Sequence, residues 1–171
     1  MPRILVAGLG NIFLGDDGFG VEVVRLLRTE QLPEGVRVAD YGLRSLHLAY
    51  ELTGTPYDLA LLVDASSCGG KPGSLYVIEP DAGGPAVAPV NAHSVTPAAV
   101  LASIRLLGGV PGRVLVVGCE PESIAERMGL SATVERAARA ATGLIRELIQ
   151  REYERGSNVS GYSGTDRTAI A

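Results

Sequence analysis

Short runs of Val, Ile and Leu recur along the chain at residues 3–8, 36–41, 59–64, 74–79 and 113–118, each bounded by Gly, Pro or Asp. They read as five strands. Between them, apolar positions change to helical spacing: Val21, Val24 and Leu27 within 20–28, then 45–52, then Val100, Ile104 and Leu107 within 96–107, and finally 131–153. Strands alternating with helices predict a mainly parallel sheet covered by helices on both faces. One junction breaks the alternation. Strands three and four are joined only by "SSCGGKPG", too short for a crossover helix, so the fourth strand is expected to run antiparallel.

The pattern fits one domain over residues 1–155, and a chain of 171 residues is long enough to bury roughly 70% of the surface its unfolded form exposes. From Gly156 the chain turns polar and loses periodicity ("GSNVSGYSGTDRTAIA"), so residues 156–171 are expected to be a disordered tail. Residues 80–92, "PDAGGPAVAPVNA", read as a long loop within the domain, a length often associated with function.

Composition narrows the partners. The net charge is -4, without a block of basic residues, which argues against nucleic acid or an anionic membrane surface. The longest apolar runs, such as "LALLV" at 59–63, are far shorter than the roughly 20 residues that span a bilayer. "MPRILVAGLG" enters a strand directly and lacks the features of a signal peptide, so a cytoplasmic protein is expected. In that compartment Cys68 and Cys119 are read as free thiols.

The distinctive stretch is "VAGLGNIFLGDDGFGVEVV", residues 6–24. A glycine-rich turn after a first strand commonly cradles pyrophosphate, but the third glycine of G-x-G-x-x-G is missing here. Asp16 and Asp17 would also oppose a phosphate, and a helix start that brings its own anions is better suited to a cation. The plain alternative makes Asp16 an N-cap and Asp17 a first-turn acid.

Two further residues bear on the choice. Asp64 ends the third strand in "LALLVDAS", and His93 precedes the 96–107 helix in "NAHSVTP". The carboxyl ends of parallel strands share one edge of an open sheet, so Asp17, Asp64 and His93 are expected to converge there. Two carboxylates and an imidazole form an open site for a borderline ion such as nickel or zinc; a structural hydrogen-bonding role for His93 is the alternative. Cys68 and Cys119 follow strands that end at the same edge, where a thiolate would be a soft ligand; small-residue packing explains them equally well. His47, on a short helix among core residues, is assigned a packing role. No G-x-S-x-G, H-E-x-x-H or P-loop lysine is present.

Together, "ILVAGLGNIFLGDDGFG", "LLVDASSCGGKPGSLY", "NAHSVTP" and "VLVVGCEPESIAERMGLS" resemble the nickel-iron hydrogenase maturation endopeptidases over nearly the whole folded chain. The resemblance implies a three-layer α/β/α sandwich with a five-stranded mixed sheet, strand four antiparallel. It also implies removal of a C-terminal extension from the hydrogenase large-subunit precursor after nickel insertion, with nickel carried by that precursor. The family's metal-contacting positions fall on Asp17, where many relatives have Glu, and on Asp64 and His93. Its acidic loop after strand two, typically Asp-Gly-Gly-Thr or Asp-Cys-Gly-Thr, reads Asp40, Tyr41, Gly42, Leu43 here, with Asp40 as a possible general base or, on the plain reading, an ordinary turn residue. Because ligands at an exposed edge contribute little to a core, replacing Asp17, Asp64 or His93 is expected to stop processing and spare the fold.

An endopeptidase is thus the leading reading. A non-catalytic, nickel-dependent maturation chaperone and a degenerate nucleotide-binding protein are the alternatives. A monomer in transient complex with the precursor is expected.

Overall fold

The computed structural model describes residues 1–80, 96–109 and 112–160, without the side chains of 158–160. Its strands are β1 (Ile4–Leu9), β2 (Val36–Gly42), β3 (Leu59–Ala65), β4 (Leu75–Ile78) and β5 (Arg113–Cys119). They form one sheet in the order β2-β1-β3-β5-β4. The first four in that row pair in parallel, and β4 pairs antiparallel with β5, Leu75 opposite Cys119. The short β3–β4 connection therefore has the consequence its length requires.

The helices are α1 (Phe19–Leu27), α2 (Ser45–Gly54), α3 (Pro97–Leu106) and α4 (Ala132–Ser160). Side-chain alternation along the strands divides the core into two layers. Ile4 and Val6 of β1 join Leu61 and Val63 of β3 beneath α1 and α4, packed against Phe19, Val23, Val24, Ile145 and Ile149. Leu5, Ala7 and Leu62 face the other way, toward Leu48 and Leu52 of α2 and Val100 and Ile104 of α3. β1 and β3 are almost wholly buried, as continuous apolar runs at the centre of a sheet should be. Together these layers make the expected α/β/α sandwich.

Close backbone approach sets the seat of α1. A Cβ on Gly20 would come within 2.1 Å of the Val63 carbonyl oxygen, and one on Gly8 within 2.4 Å of the Gly20 oxygen. Glycine at both positions lets the start of α1 lie directly on β1 and β3.

Helix α4 runs through Ser160, past the Gly156 at which the loss of periodicity suggested a tail. A long helix docked by its apolar face propagates cheaply into a polar segment, one hydrogen bond per residue ordered. Residues 161–171 lie outside the described residues, as does most of the expected 80–92 loop. Among the described residues no helix is long and apolar enough to cross a membrane.

Candidate active site

From β1 the chain passes to β2 on one side, then crosses to β3 on the other. This change of direction leaves a crevice at the carboxyl ends of β1 and β3, where ligands bind in open α/β sheets. The acidic turn follows β1 and Asp64 lies near the end of β3, so the topology brings both to that crevice.

Asp16 and Asp17 lie in a single 3-10 turn, Gly15–Gly18, ahead of α1. Gly18 occupies the N-cap of α1 and makes no side-chain capping bond. Asp16 is therefore not the N-cap that its position next to a helix suggested. It is fully buried and reaches across to the loop between β5 and α4. Its Oδ1 accepts the Ser131 N–H (2.7 Å), and its Oδ2 accepts the Glu122 N–H (2.8 Å), the Ser123 N–H (3.0 Å) and the Ser131 hydroxyl (3.0 Å). Burial by itself would raise the Asp16 pKa, but these donors outweigh it and hold the carboxyl below its ordinary value. Ser131 also caps α4, its Oγ accepting the Val134 N–H at 3.3 Å.

Asp17 points elsewhere. Its Oδ2 accepts the Asn11 N–H at 2.8 Å, while the Asn11 side chain accepts the Phe13 N–H at 3.0 Å and tightens the turn. Gly10 holds φ +126°, and a Cβ there would stand 1.8 Å from the Asp17 carbonyl oxygen and 3.8 Å from Asp64 Oδ1. A missing side chain thus permits the backbone of Asp17 and the carboxylate of Asp64 to share one niche.

Asp64 is buried, only 3% exposed, in contrast to the exposed ligand expected. Its Oδ1 is shielded from solvent without a hydrogen-bond partner among the described residues. Burial first, and the charge of Asp17 second, push its pKa up to about 8. A desolvated carboxylate beside a second carboxylate requires a proton or a cation, so the donor set fits a positively charged ligand. Among the described residues no group of three His, Cys, Asp or Glu side chains assembles around an ion. His93 lies outside the described residues.

Asp40 is half-buried within β2, paired with Gly8 of β1, so it is a strand residue and not merely a turn former. Just beyond it the β1–β2 register shifts, and Gly10 N–H donates to the Gly42 carbonyl at 3.1 Å. The edge bearing Asp40 is thereby stitched to the loop bearing Asp17. Tyr41 is buried, and its hydroxyl donates to Glu51, which also accepts from Tyr57 and Arg37. The Arg44 guanidinium donates to the carbonyls of Asp40 and Tyr41.

The remaining titratable candidates have other roles. Cys119 is buried in the core beneath α4, and burial, followed by the nearby Asp16 and Glu120 charges, pushes its thiol up to about 12. It remains a protonated packing residue and not a thiolate ligand. Cys68 is exposed and free. His47 is exposed, so the packing role assigned to it does not hold. Glu120, not singled out from the sequence, accepts the Cys68 N–H (2.7 Å), the Gly70 N–H (3.3 Å) and the Tyr76 hydroxyl (3.0 Å). These bonds, led by that from Cys68, hold its carboxyl below the ordinary range and fold the loop that leaves Asp64. An acid at the carboxyl end of β5 was the available signal.

Comparison with known proteins identifies the family. Residues 21–148 match the family described as hydrogenase maturation protease (HycI), a span that includes Asp40, Asp64 and His93 and begins just after the acidic turn. The chain is 34% identical to the hydrogenase 2 maturation protease of Escherichia coli, over 78% of this chain and 82% of that protein. It is 30% identical to the hydrogenase expression/formation protein HoxM of Azotobacter vinelandii, over 85% of this chain and 73% of that one. The crystal structure of a hydrogenase 2 maturation peptidase from Thaumarchaeota archaeon SCGC_AB-539-E09 superposes with a TM-score of 0.68 at 34% identity, covering 86% of this chain and 98% of the other. On its fold and these relatives, the chain belongs to the hydrogenase maturation protease family and is an endopeptidase that processes a hydrogenase large-subunit precursor.

Proposed function

We propose that the enzyme removes the C-terminal extension of its precursor after nickel has been inserted, and that Asp17, Asp64 and His93 engage the nickel the precursor carries. One observation carries this reading: a buried carboxylate oxygen on Asp64 that lacks a partner among the described residues, next to Asp17. With a pKa near 8, Asp64 is mostly protonated at neutral pH when alone. A cation presented to the pair displaces that proton and relieves the repulsion between the carboxylates.

The nickel is part of the substrate, and its arrival at Asp17 and Asp64 reports that insertion is complete. Two carboxylates and one imidazole leave coordination positions open. An ion so held polarises a carbonyl oxygen or lowers the pKa of a bound water. Asp40, on the strand adjoining the acidic turn, is the proposed general base for that water. The enzyme acts in the cytoplasm as a monomer in transient complex with its substrate. A chaperone role without cleavage gains no support from relatives that are themselves proteases.

Mass spectrometry of nickel-loaded and nickel-free precursor, before and after addition of the purified protein, tests the proposal. Shortening of the nickel-loaded form alone is the expected result. Equal cleavage of both forms removes the recognition role of the ion, and an unchanged length with stable binding of the loaded form favours the chaperone.

A further inference from the structure

Beside the acidic turn, two loops are fastened together. The Gly15 N–H donates to the Arg127 carbonyl (2.9 Å), the Arg127 N–H to the Phe13 carbonyl (3.0 Å), and the Asp16 N–H to the Ser123 carbonyl (3.0 Å). Leu14 and Arg127 form a parallel bridge, and the buried Asp16 carboxylate adds its bonds to Glu122, Ser123 and Ser131. Despite this anchoring, the loops turn apolar side chains outward: Ile12 is 40% exposed, Phe13 60%, Ile124 59% and Met128 67%. Loops so tightly held are not free to bury these groups. Clustered exposed apolar residues on a rigid support mark an interaction surface.

A cavity of about 490 Å³ opens beside them, with Ile12, Met128 and Leu130 on its walls. Gly15 and Gly18, which bracket Asp17 in the chain, also line it. The surface is thus continuous with the proposed active site. Its charge is lopsided. Arg25 and Arg139 offset Glu22 and Glu135, which leaves the buried Asp16 together with Asp17, Glu122 and Glu126 against Arg127 among the charges of the turn and the 122–131 loop.

We propose that this surface is where the precursor docks: it receives an apolar segment with basic flanks, and so seats the chain to be cut beside Asp17. The proposal rests on the endopeptidase reading and names the surface that reading requires. Phe13 and Met128 are its anchors, because they are its most exposed apolar side chains and anchors of this kind carry most of the energy of an interface.

The test uses nickel-loaded precursor with the wild-type enzyme and with the double variant Phe13→Ser, Met128→Ser. Expected are a KM and a directly measured Kd raised about 10-fold or more, a kcat within about twofold of wild type because the change acts on uniform binding, and an unchanged melting temperature. Added salt should weaken wild-type binding. A double variant that binds and cuts like wild type overturns the docking surface and leaves the endopeptidase reading intact. A wild-type enzyme that neither binds nor cuts the precursor overturns both. A wild-type dimer in sedimentation that the double variant converts to monomer assigns the patch to self-association and likewise overturns the proposal.

Discussion

The carbonyl oxygen of Asp17 lies where Gly10 would carry a side chain, at 1.8 Å from the place of the absent Cβ. This contact couples the end of β1 to the acidic turn, and Asp64 Oδ1 lies 3.8 Å from the same point. Gly10→Ala must therefore displace Asp17, besides straining a residue at φ +126°. A loss of about 3 kcal/mol in urea unfolding is expected, from backbone strain and overpacking together. Processing should fall even under conditions where the variant remains folded, because the turn carrying Asp17 must move.

Asp64 makes stability depend on pH in a direction unusual for a carboxylate. Its folded pKa, about 8, lies above the ordinary 3.8, so between those values the folded state binds more protons than the unfolded one. The contribution is fully present below about pH 4 and is lost as pH rises through 8. Asp64→Asn removes the titration. In a chelating buffer, the stability of the variant relative to wild type should increase from pH 4 to 8 by at least about 1 kcal/mol, or some 2–4 °C in melting temperature for a chain of this size. Its processing activity should be lost throughout.

Asp16 has the opposite sign. Asp16→Ala leaves the Glu122, Ser123 and Ser131 N–H groups without their acceptor, at an expected cost of about 3 kcal/mol at neutral pH. Its folded pKa is depressed below 3.8, so the stabilisation is present above that value and is lost as pH falls through the folded pKa. Urea midpoints of wild type and variant should approach one another on acidification.

Asp17 is half-buried, and its Oδ2 accepts the Asn11 N–H within its own loop. Asp17→Ala should abolish processing at a cost below about 1.5 kcal/mol. His93→Ala is expected to abolish processing as well. Circular dichroism melts beside mass spectrometry of the precursor separate lost chemistry from lost fold. Wild-type processing by both folded variants would remove them from the site.

Local chemistry made most of the architecture legible. Strand and helix periods, the Gly and Pro that end each run, and a β3–β4 link too short for a crossover are properties of neighbouring residues, and each reappears in the sheet. Parallel strands deliver their carboxyl ends to one edge, which accounts for Asp17 lying near Asp64; His93, the third residue expected there, lies outside the described residues. Tertiary structure alone separated the two adjacent aspartates. Asp16 finds donors 106 to 115 residues away and becomes a buried clamp, while Asp17 bonds within its own loop; no local pattern encodes which distant N–H groups will meet a carboxylate. The burial of Asp64, the protonated Cys119 inside the core and the Glu120 cradle formed by N–H groups 50 and 52 residues distant have the same origin. Desolvation and hydrogen-bond supply depend on what the completed fold packs around a group, and they determine whether an acid binds a proton, awaits a cation or holds two loops together.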